Sequence, residues 1–237
     1  MIRTIIFFSY FWLYKVYSLT LLPKVNGLIK RGREEEGDQL INQIAQKWAQ
    51  SLIKITGSTV EVNGTENIPE GNVLFVSNHQ GNFDIPLLIG YIDKPKGFIA
   101  KTELKKLPII NTWMEKIHCV FIDRSNLRQS MKAMIESVKL LKSGKNMVLF
   151  PEGTRSKGSN VREFKAAGIK VALKSQVPIV PVTIDGSFKI MEENKFIKPA
   201  HVKITISEPI YTTELAKEEK DQLHEKLQKI ISDNIKN

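Results

Sequence analysis

Cysteine is almost missing from this chain: Cys119 stands alone among 237 residues. A single thiol excludes an intrachain disulfide and any multi-cysteine zinc site. Cys119 lies in the largely apolar run 117–122, where a buried, inert thiol is expected rather than a reactive one. Histidine is scarce as well. There are four, with no second clustered His or Cys pair to complete a metal site, which leaves a metal hydrolase built on His79 and Asp84 short of ligands. Internal repeats and low-complexity tracts are absent, and composition is near the globular average, so neither a solenoid nor long disorder is expected. Acids are in the minority, 25 against 35 Lys and Arg, for a net charge of +10. That excess suits a polyanionic partner, whether nucleic acid, anionic lipid or a phosphorylated substrate. No aromatic-basic signature or recognition-helix pattern accompanies it, so a nucleic-acid-binding module rests on charge alone.

What is present first is one long apolar run. Residues 4–22 carry a single charge, Lys15, and seven aromatics between Phe7 and Tyr17. Nineteen helical residues reach about 28 Å, close to the thickness of a bilayer core. No small-residue cleavage site follows Leu22, so the run reads as a retained membrane anchor, spanning or held in one leaflet, rather than a signal peptide. A Lys near the middle costs about 2.5–3.5 kcal/mol on insertion; snorkelling toward the headgroups would reduce that. A polar link, 24–37, follows, and Asp38 then heads a helix whose apolar residues Leu40, Ile41, Ile44, Ala45, Trp48, Leu52 and Ile53 share one face. Gly57 ends it. These residues, 1–57, are expected to form an N-terminal two-helix membrane-docking element, and 58–237 an α/β domain.

Beyond Gly57 the periodicity changes. Strands are expected at 59–62, 72–76, 97–100, 119–122, 147–150, 179–184 and 202–206, and helices at 85–91, 103–115, 127–142 and 215–235. In the helix at 127–142 the expected inner face is Leu127, Met131, Met134, Ile135, Val138 and Leu141. Alternating strands and helices give the α/β class.

Four segments could carry chemistry. NHQGNFD, residues 78–84, follows a strand and must turn, which is where ligand sites of α/β sheets lie. A neutral imidazole can take a proton from an alcohol while a carboxylate holds its other nitrogen. Gly81, by adopting dihedrals closed to other residues, could fold Asp84 back toward His79. Alone the pair also fits a solvated surface histidine. FPEGTRS, 150–156, is a second turn after a strand, and its Arg155 guanidinium could grip a phosphate in two-pronged fashion; an ordinary turn reads the same way. KTELKKLPIINTWMEKIHCVFIDR, 101–124, places Lys101 and Arg124 after two further strands, or is simply a basic solvated surface. VPIVPVTIDGS, 177–187, is an apolar strand running into a turn, and by itself indicates only a core.

In this order the four segments resemble the phospholipid and glycerolipid acyltransferases, in particular the bacterial 1-acyl-sn-glycerol-3-phosphate acyltransferases. The resemblance covers roughly 57–209. It implies a central mixed sheet flanked by helices and an enzyme that acylates lysophosphatidic acid, with siblings acting on glycerol-3-phosphate or another lysophospholipid as the alternative. It implies that His79 is the general base and Asp84 its orienting partner. It also implies that Lys101, Arg124 and Arg155 hold the glycerol phosphate, with Glu152, Gly153 and Thr154 shaping that pocket. No organic cofactor or metal is implied. The expected partners are membrane lipid and an acyl thioester of acyl carrier protein or coenzyme A, not nucleic acid. The expected location is the membrane, with the site facing the cytoplasm. Lys94, Lys96, Lys101, Lys105 and Lys106 would meet the anionic surface, and backbone amides near the active turn would steady the oxyanion.

Overall fold

The computed structural model describes residues 1–123 and 125–235. The chain begins with three helices, α1 (Ile2–Ser18), α2 (Leu22–Lys30) and α3 (Glu34–Thr56). The α/β part then runs β1 (Thr59–Asn63), β2 (Leu74–Ser77), α4 (Asp84–Tyr91), β3 (Gly97–Lys101), α5 (Ile110–Lys116), β4 (Val120–Ile122) and α6 (Leu127–Lys142). It continues with β5 (Met147–Leu149), α7 (Ala166–Ser175), β6 (Ile179–Asp185), β7 (His201–Ile206), α8 (Lys217–Asp221) and α9 (Leu223–Asp233).

Among the described residues seven strands form one sheet in the order β1-β7-β6-β2-β5-β3-β4. The five strands from β6 to β4 are mutually parallel. β7 pairs antiparallel with β6 and parallel with β1, which makes the sheet mixed. Alternate side chains of each strand enter opposite layers. Phe75, Val148 and Val180 pack under Ala49, Leu52, Ile53 of α3 and Leu87, Leu88 of α4, a layer that also receives Phe7 of α1. Leu74, Val76, Met147 and Ile179 face α6, α7 and α9 through Leu141, Ile169, Ala172, Leu223 and Leu227. With both faces covered, the parallel strands must be apolar throughout, and β2 is buried at all four positions. The carboxyl ends of the five parallel strands therefore share one sheet edge, and all five lie in or lead into the four motif segments.

Several local expectations needed correction. The link 24–37 contains α2, because Pro23 sits in its first turn, where a missing N–H costs nothing and the fixed φ starts a helix. Asp38 is not a cap: α3 opens at Glu34 with three glutamates in its first turn, where the helix dipole favours them. Asp38 instead pairs with Lys145 and lies 3.3 Å from His118 Nε2. The helix expected at 103–115 is interrupted by Pro108, leaving a 3-10 turn over Thr102–Lys106 and then α5. The C-terminal helix is two pieces, α8 and α9. α7 was missed, its Ala-Ala-Gly start hiding the apolar face. On α6, Leu127, Met131 and Ile135 are exposed rather than inward, and the small residues Ala133 and Ser137 make the close approach.

Lys15 does not snorkel outward. It is 6% exposed, with Nζ 3.8 Å over the Phe11 ring and 4.2 Å over Trp12. α1 lies on the domain through Phe7, whose ring is 5.3 Å from that of Phe83. Its other side exposes Ile2, Ile5, Ile6, Trp12, Leu13 and Val16. The run Ile2–Lys30 is long and apolar enough to cross a membrane by length and composition. Lys96 is likewise buried, donating to Leu88 O at 3.0 Å and Ile92 O at 2.7 Å at the end of α4, and so is not available to a membrane surface.

Candidate active site

His79 leaves the buried end of β2 on the turn that Gly81 and Asn82 carry into α4. Asp84 is the first residue of α4, so the five-residue separation spans a turn and a helix start rather than a regular helix. Its carboxylate, fully buried, accepts a hydrogen bond from His79 Nδ1 at 2.7 Å, one from Gly81 N at 2.8 Å and one from Ser187 Oγ. With Nδ1 donating to an acceptor-only carboxylate, Nε2 is the ring nitrogen left to accept a proton. The imidazole stacks on Phe150, the ring centroids 4.1 Å apart and the planes 19° from parallel. Orientation is thus fixed on two sides, by the carboxylate and by the ring.

Gly81 is needed for space and not for its dihedrals. It lies outside the positive-φ residues, but a Cβ added there would come within 2.5 Å of Glu192 Oε2 and 2.7 Å of Glu192 Cδ. Gly153, at φ 74°, is the glycine of the site whose backbone conformation itself excludes most side chains.

The turn's amides are occupied. His79 N donates to Glu152 Oε1 at 2.6 Å, Gly81 N to Asp84, and Asn82 N to Glu192 Oε1 at 2.7 Å. These three N–H groups are therefore not free to serve as oxyanion donors. The carbonyls are bound too: Ser156 N donates to His79 O at 2.7 Å and Lys157 N to Gln80 O at 3.1 Å, which laces this turn to the one after β5. Gln80 and Asn78 tie it to β6. Gln80 Oε1 accepts from Gly186 N and Ser187 N, while Asn78 exchanges two 2.8 Å bonds with Ile184.

Glu152 therefore has a structural task. Its carboxylate is 3% exposed and bound by His79 N and by Arg162 N at 3.0 Å. Burial pushes the Glu152 carboxyl above the usual carboxylate range, and the two N–H bonds pull it back. Glu192 is raised for the same first reason, with the Asn82 N–H opposing.

A cavity of about 450 Å³ opens beside His79. Gly153, Thr154, Arg155 and Lys101 line it together with the histidine, so the structure brings these sequence-selected residues to one place. Its remaining wall is largely apolar, drawn from α1, α3, α4, α5 and β3, including Trp48, Ile85, Phe98, Trp113 and Met114. Arg155 sits at the rim, donating to Asn82 Oδ1 and 3.8 Å from Glu192 Oε1. Arg124 lies outside the described residues. Glu152 and Asp84 are selected residues that do not line the cavity. Sequence reasoning missed Ser187, Glu192, Gln80 and Phe150 as parts of the site. For Ser187 and Gln80 the signal was a polar turn at the same sheet edge; Glu192 gave none. Among the described residues no group of three or more His, Cys, Asp or Glu side chains is arranged as metal ligands.

Residues 59–185 match the family described as Acyltransferase. The chain is 39% identical over 156 residues to a probable 1-acyl-sn-glycerol-3-phosphate acyltransferase of Mycoplasma pneumoniae, covering 64% of this chain and 59% of that one. It therefore spans about three fifths of that relative's length. The 1-acyl-sn-glycerol-3-phosphate acyltransferase of Borreliella burgdorferi is 32% identical over 183 residues, 76% of this chain and 72% of its own. Among solved structures, the 1-acyl-sn-glycerophosphate (LPA) acyltransferase of Thermotoga maritima superposes with a TM-score of 0.86 at 30% identity. That match covers 98% of this chain and 92% of the Thermotoga chain.

Proposed function

The chain belongs to the acyltransferase family, and from that premise we propose that it transfers a fatty acyl group from an acyl thioester to the sn-2 hydroxyl of 1-acyl-sn-glycerol-3-phosphate, giving phosphatidic acid. The observation that carries this reading is the His79–Asp84 pair opening onto a largely apolar cavity rimmed by Lys101 and Arg155. An alcohol to be activated, a phosphate to be gripped and a hydrocarbon chain to be housed are the three demands of that reaction, and each has a counterpart in the site.

His79 Nε2 removes the hydroxyl proton as the oxygen attacks the thioester carbonyl carbon. The carbonyl oxygen gains the negative charge of a tetrahedral intermediate. Collapse re-forms the carbonyl, breaks the C–S bond, and the departing thiolate takes the proton back from the imidazolium. The thioester is already activated, so no covalent enzyme intermediate is needed. General-base help of this kind contributes about 10²–10⁴-fold. Arg155 and Lys101, with Arg124, bind the phosphate and hold the hydroxyl at His79, an alignment that can supply several kcal/mol, on the order of 7–11 in ideal cases. Glu152 ties the turn after β2 to the segment after β5, and Gln80 and Asn78 tie that first turn to β6 and the turn that follows it.

The exposed apolar side of α1 supports docking in the membrane, where the lipid acceptor resides, with the site open to a cytoplasmic donor. The donor is an acyl thioester of either acyl carrier protein or coenzyme A, and no further cofactor is required. The test is purified full-length protein in mixed micelles with each donor, offered lysophosphatidic acid, glycerol-3-phosphate and a lysophospholipid with a diester headgroup. Phosphatidic acid from lysophosphatidic acid at the highest kcat/KM is the expected result. Preference for either other acceptor would assign the chain to a sibling activity.

A further inference from the structure

One buried carboxylate beside the site belongs neither to the histidine pair nor to the four motif segments. Glu192 follows the turn after β6 and its side chain is 5% exposed. Oε1 accepts the Asn82 N–H at 2.7 Å and lies 3.8 Å from Arg155 Nη1, while Arg155 in turn donates to Asn82 Oδ1. Asn82 is thus held between the acid and the base. Oε2 has no hydrogen-bond donor among the described residues and lies 2.5 Å from where a Gly81 Cβ would be.

Accepting one backbone N–H asks only for an oxygen, and a neutral amide would serve. A full negative charge this close to the rim guanidinium does something more. It attracts Arg155, whose own side chain is 38% exposed and so partly screened by solvent, and repels any second anion that approaches the same cation. An acceptor phosphate reaching Arg155 must arrive against that charge. We propose that Glu192 is a positioning residue and built-in counter-ion of Arg155: it fixes the guanidinium at the cavity rim and weakens its hold on free phosphate, so that the site favours acceptors also anchored by their acyl chain. This rests on the reading that Arg155 receives the acceptor's phosphate.

The experiment compares wild-type full-length protein with Glu192→Gln and Glu192→Asp, each alone and in an Arg155→Ala background. The readouts are acceptor KM, kcat, inhibition by inorganic phosphate, and the thermal shift that inorganic phosphate produces. Glu192→Gln keeps an oxygen for Asn82 N–H and removes the charge. Inorganic phosphate should then inhibit roughly 3- to 10-fold more strongly, acceptor KM should fall more than kcat changes, and both effects should vanish when Arg155 is alanine. Glu192→Asp, which keeps the charge, should leave phosphate affinity nearer wild type than Glu192→Gln does. Unchanged phosphate affinity in Glu192→Gln, the same change with Arg155 absent, or identical behaviour of the Gln and Asp variants would each overturn the proposal. So would failure of Glu192→Gln to fold by circular dichroism, since that would make the charge a requirement of the fold. If wild type acylates no tested acceptor, the functional reading fails by itself, and the phosphate thermal shifts still decide the role of Glu192.

Discussion

Replacing Asp84 by asparagine separates the charge of the histidine pair from its shape. Asp84 is fully buried and accepts from His79 Nδ1, Gly81 N and Ser187 Oγ. An asparagine oxygen in the place of Oδ2 keeps the first two bonds. Its NH₂ then faces Ser187 Oγ, which can accept it and turn its own proton to Gln80 Oε1, 3.3 Å away. The tautomer of His79 and the turn survive, so the stability cost should be about 1 kcal/mol, that of one weakened hydrogen bond. What is lost is the negative charge that steadies the imidazolium as it forms. At about 4 Å and an effective dielectric near 20, that interaction is about 4 kcal/mol. At about 1.36 kcal/mol per factor of ten, kcat should fall on the order of 10³-fold. Acceptor KM should hold, because the phosphate contacts lie on other residues. Initial rates at saturating lysophosphatidic acid, read with a thermal melt of the same preparation, measure both. A folded Asp84→Asn enzyme keeping kcat within about tenfold of wild type would refute the reasoning, since no imidazolium would then form in the limiting step.

Other outcomes follow from the same structure. Arg155→Ala should raise acceptor KM about 10- to 100-fold, the worth of charge-assisted phosphate bonds, with a smaller change in kcat; normal acceptor saturation would remove Arg155 from phosphate binding. The Cys119 thiol, buried and pushed up to about 12 by that burial, should resist aqueous thiol reagents at pH 8, where only about one in 10⁴ molecules is thiolate. Its labelling rate should track unfolding in urea, and rapid labelling of native protein would contradict its burial. The Lys96 ammonium is held down to about 7 by burial, with Asp93 opposing. Between that value and the ordinary lysine range near 10.4 the unfolded chain binds more protons, so stability should rise with pH, by up to about 1.4 kcal/mol per unit. Below it both states are charged and the contribution is flat. Urea titrations at pH 8 and 9.5 should show this slope in wild type and not in Lys96→Met; equal slopes would place the ammonium in water.

The strands were legible because they are short apolar runs bounded by turn residues, and each expected strand overlaps an observed one. The helices were less so. Burial on α6 follows from where the sheet leaves room, so Leu127 and Ile135 point outward although their spacing matches that of a core face. Pro108 separates a 3-10 turn from α5, whereas Pro23 stands in the first turn of α2, where its missing N–H has no bond within that helix to lose.

For the site, His79, Asp84, Lys101 and Arg155 lie in turns where strands end, but each turn alone also fits an ordinary surface; the resemblance to the acyltransferases, carried by four motifs in order, singled them out together with Gly153 and Thr154. Which of them meet, and how, was another matter. Glu152 has the same chemistry as a binding carboxylate, but the fold turns it onto two backbone amides. Ser187 and Glu192 enter the site from more than a hundred positions away in the chain. Local pattern determined the strands, the turns at their ends and the residue types able to move a proton. The sheet order, which sets β2 between β5 and β6, decided which turns touch, because contacts between distant segments depend on how whole strands pair and not on the neighbours of any one residue.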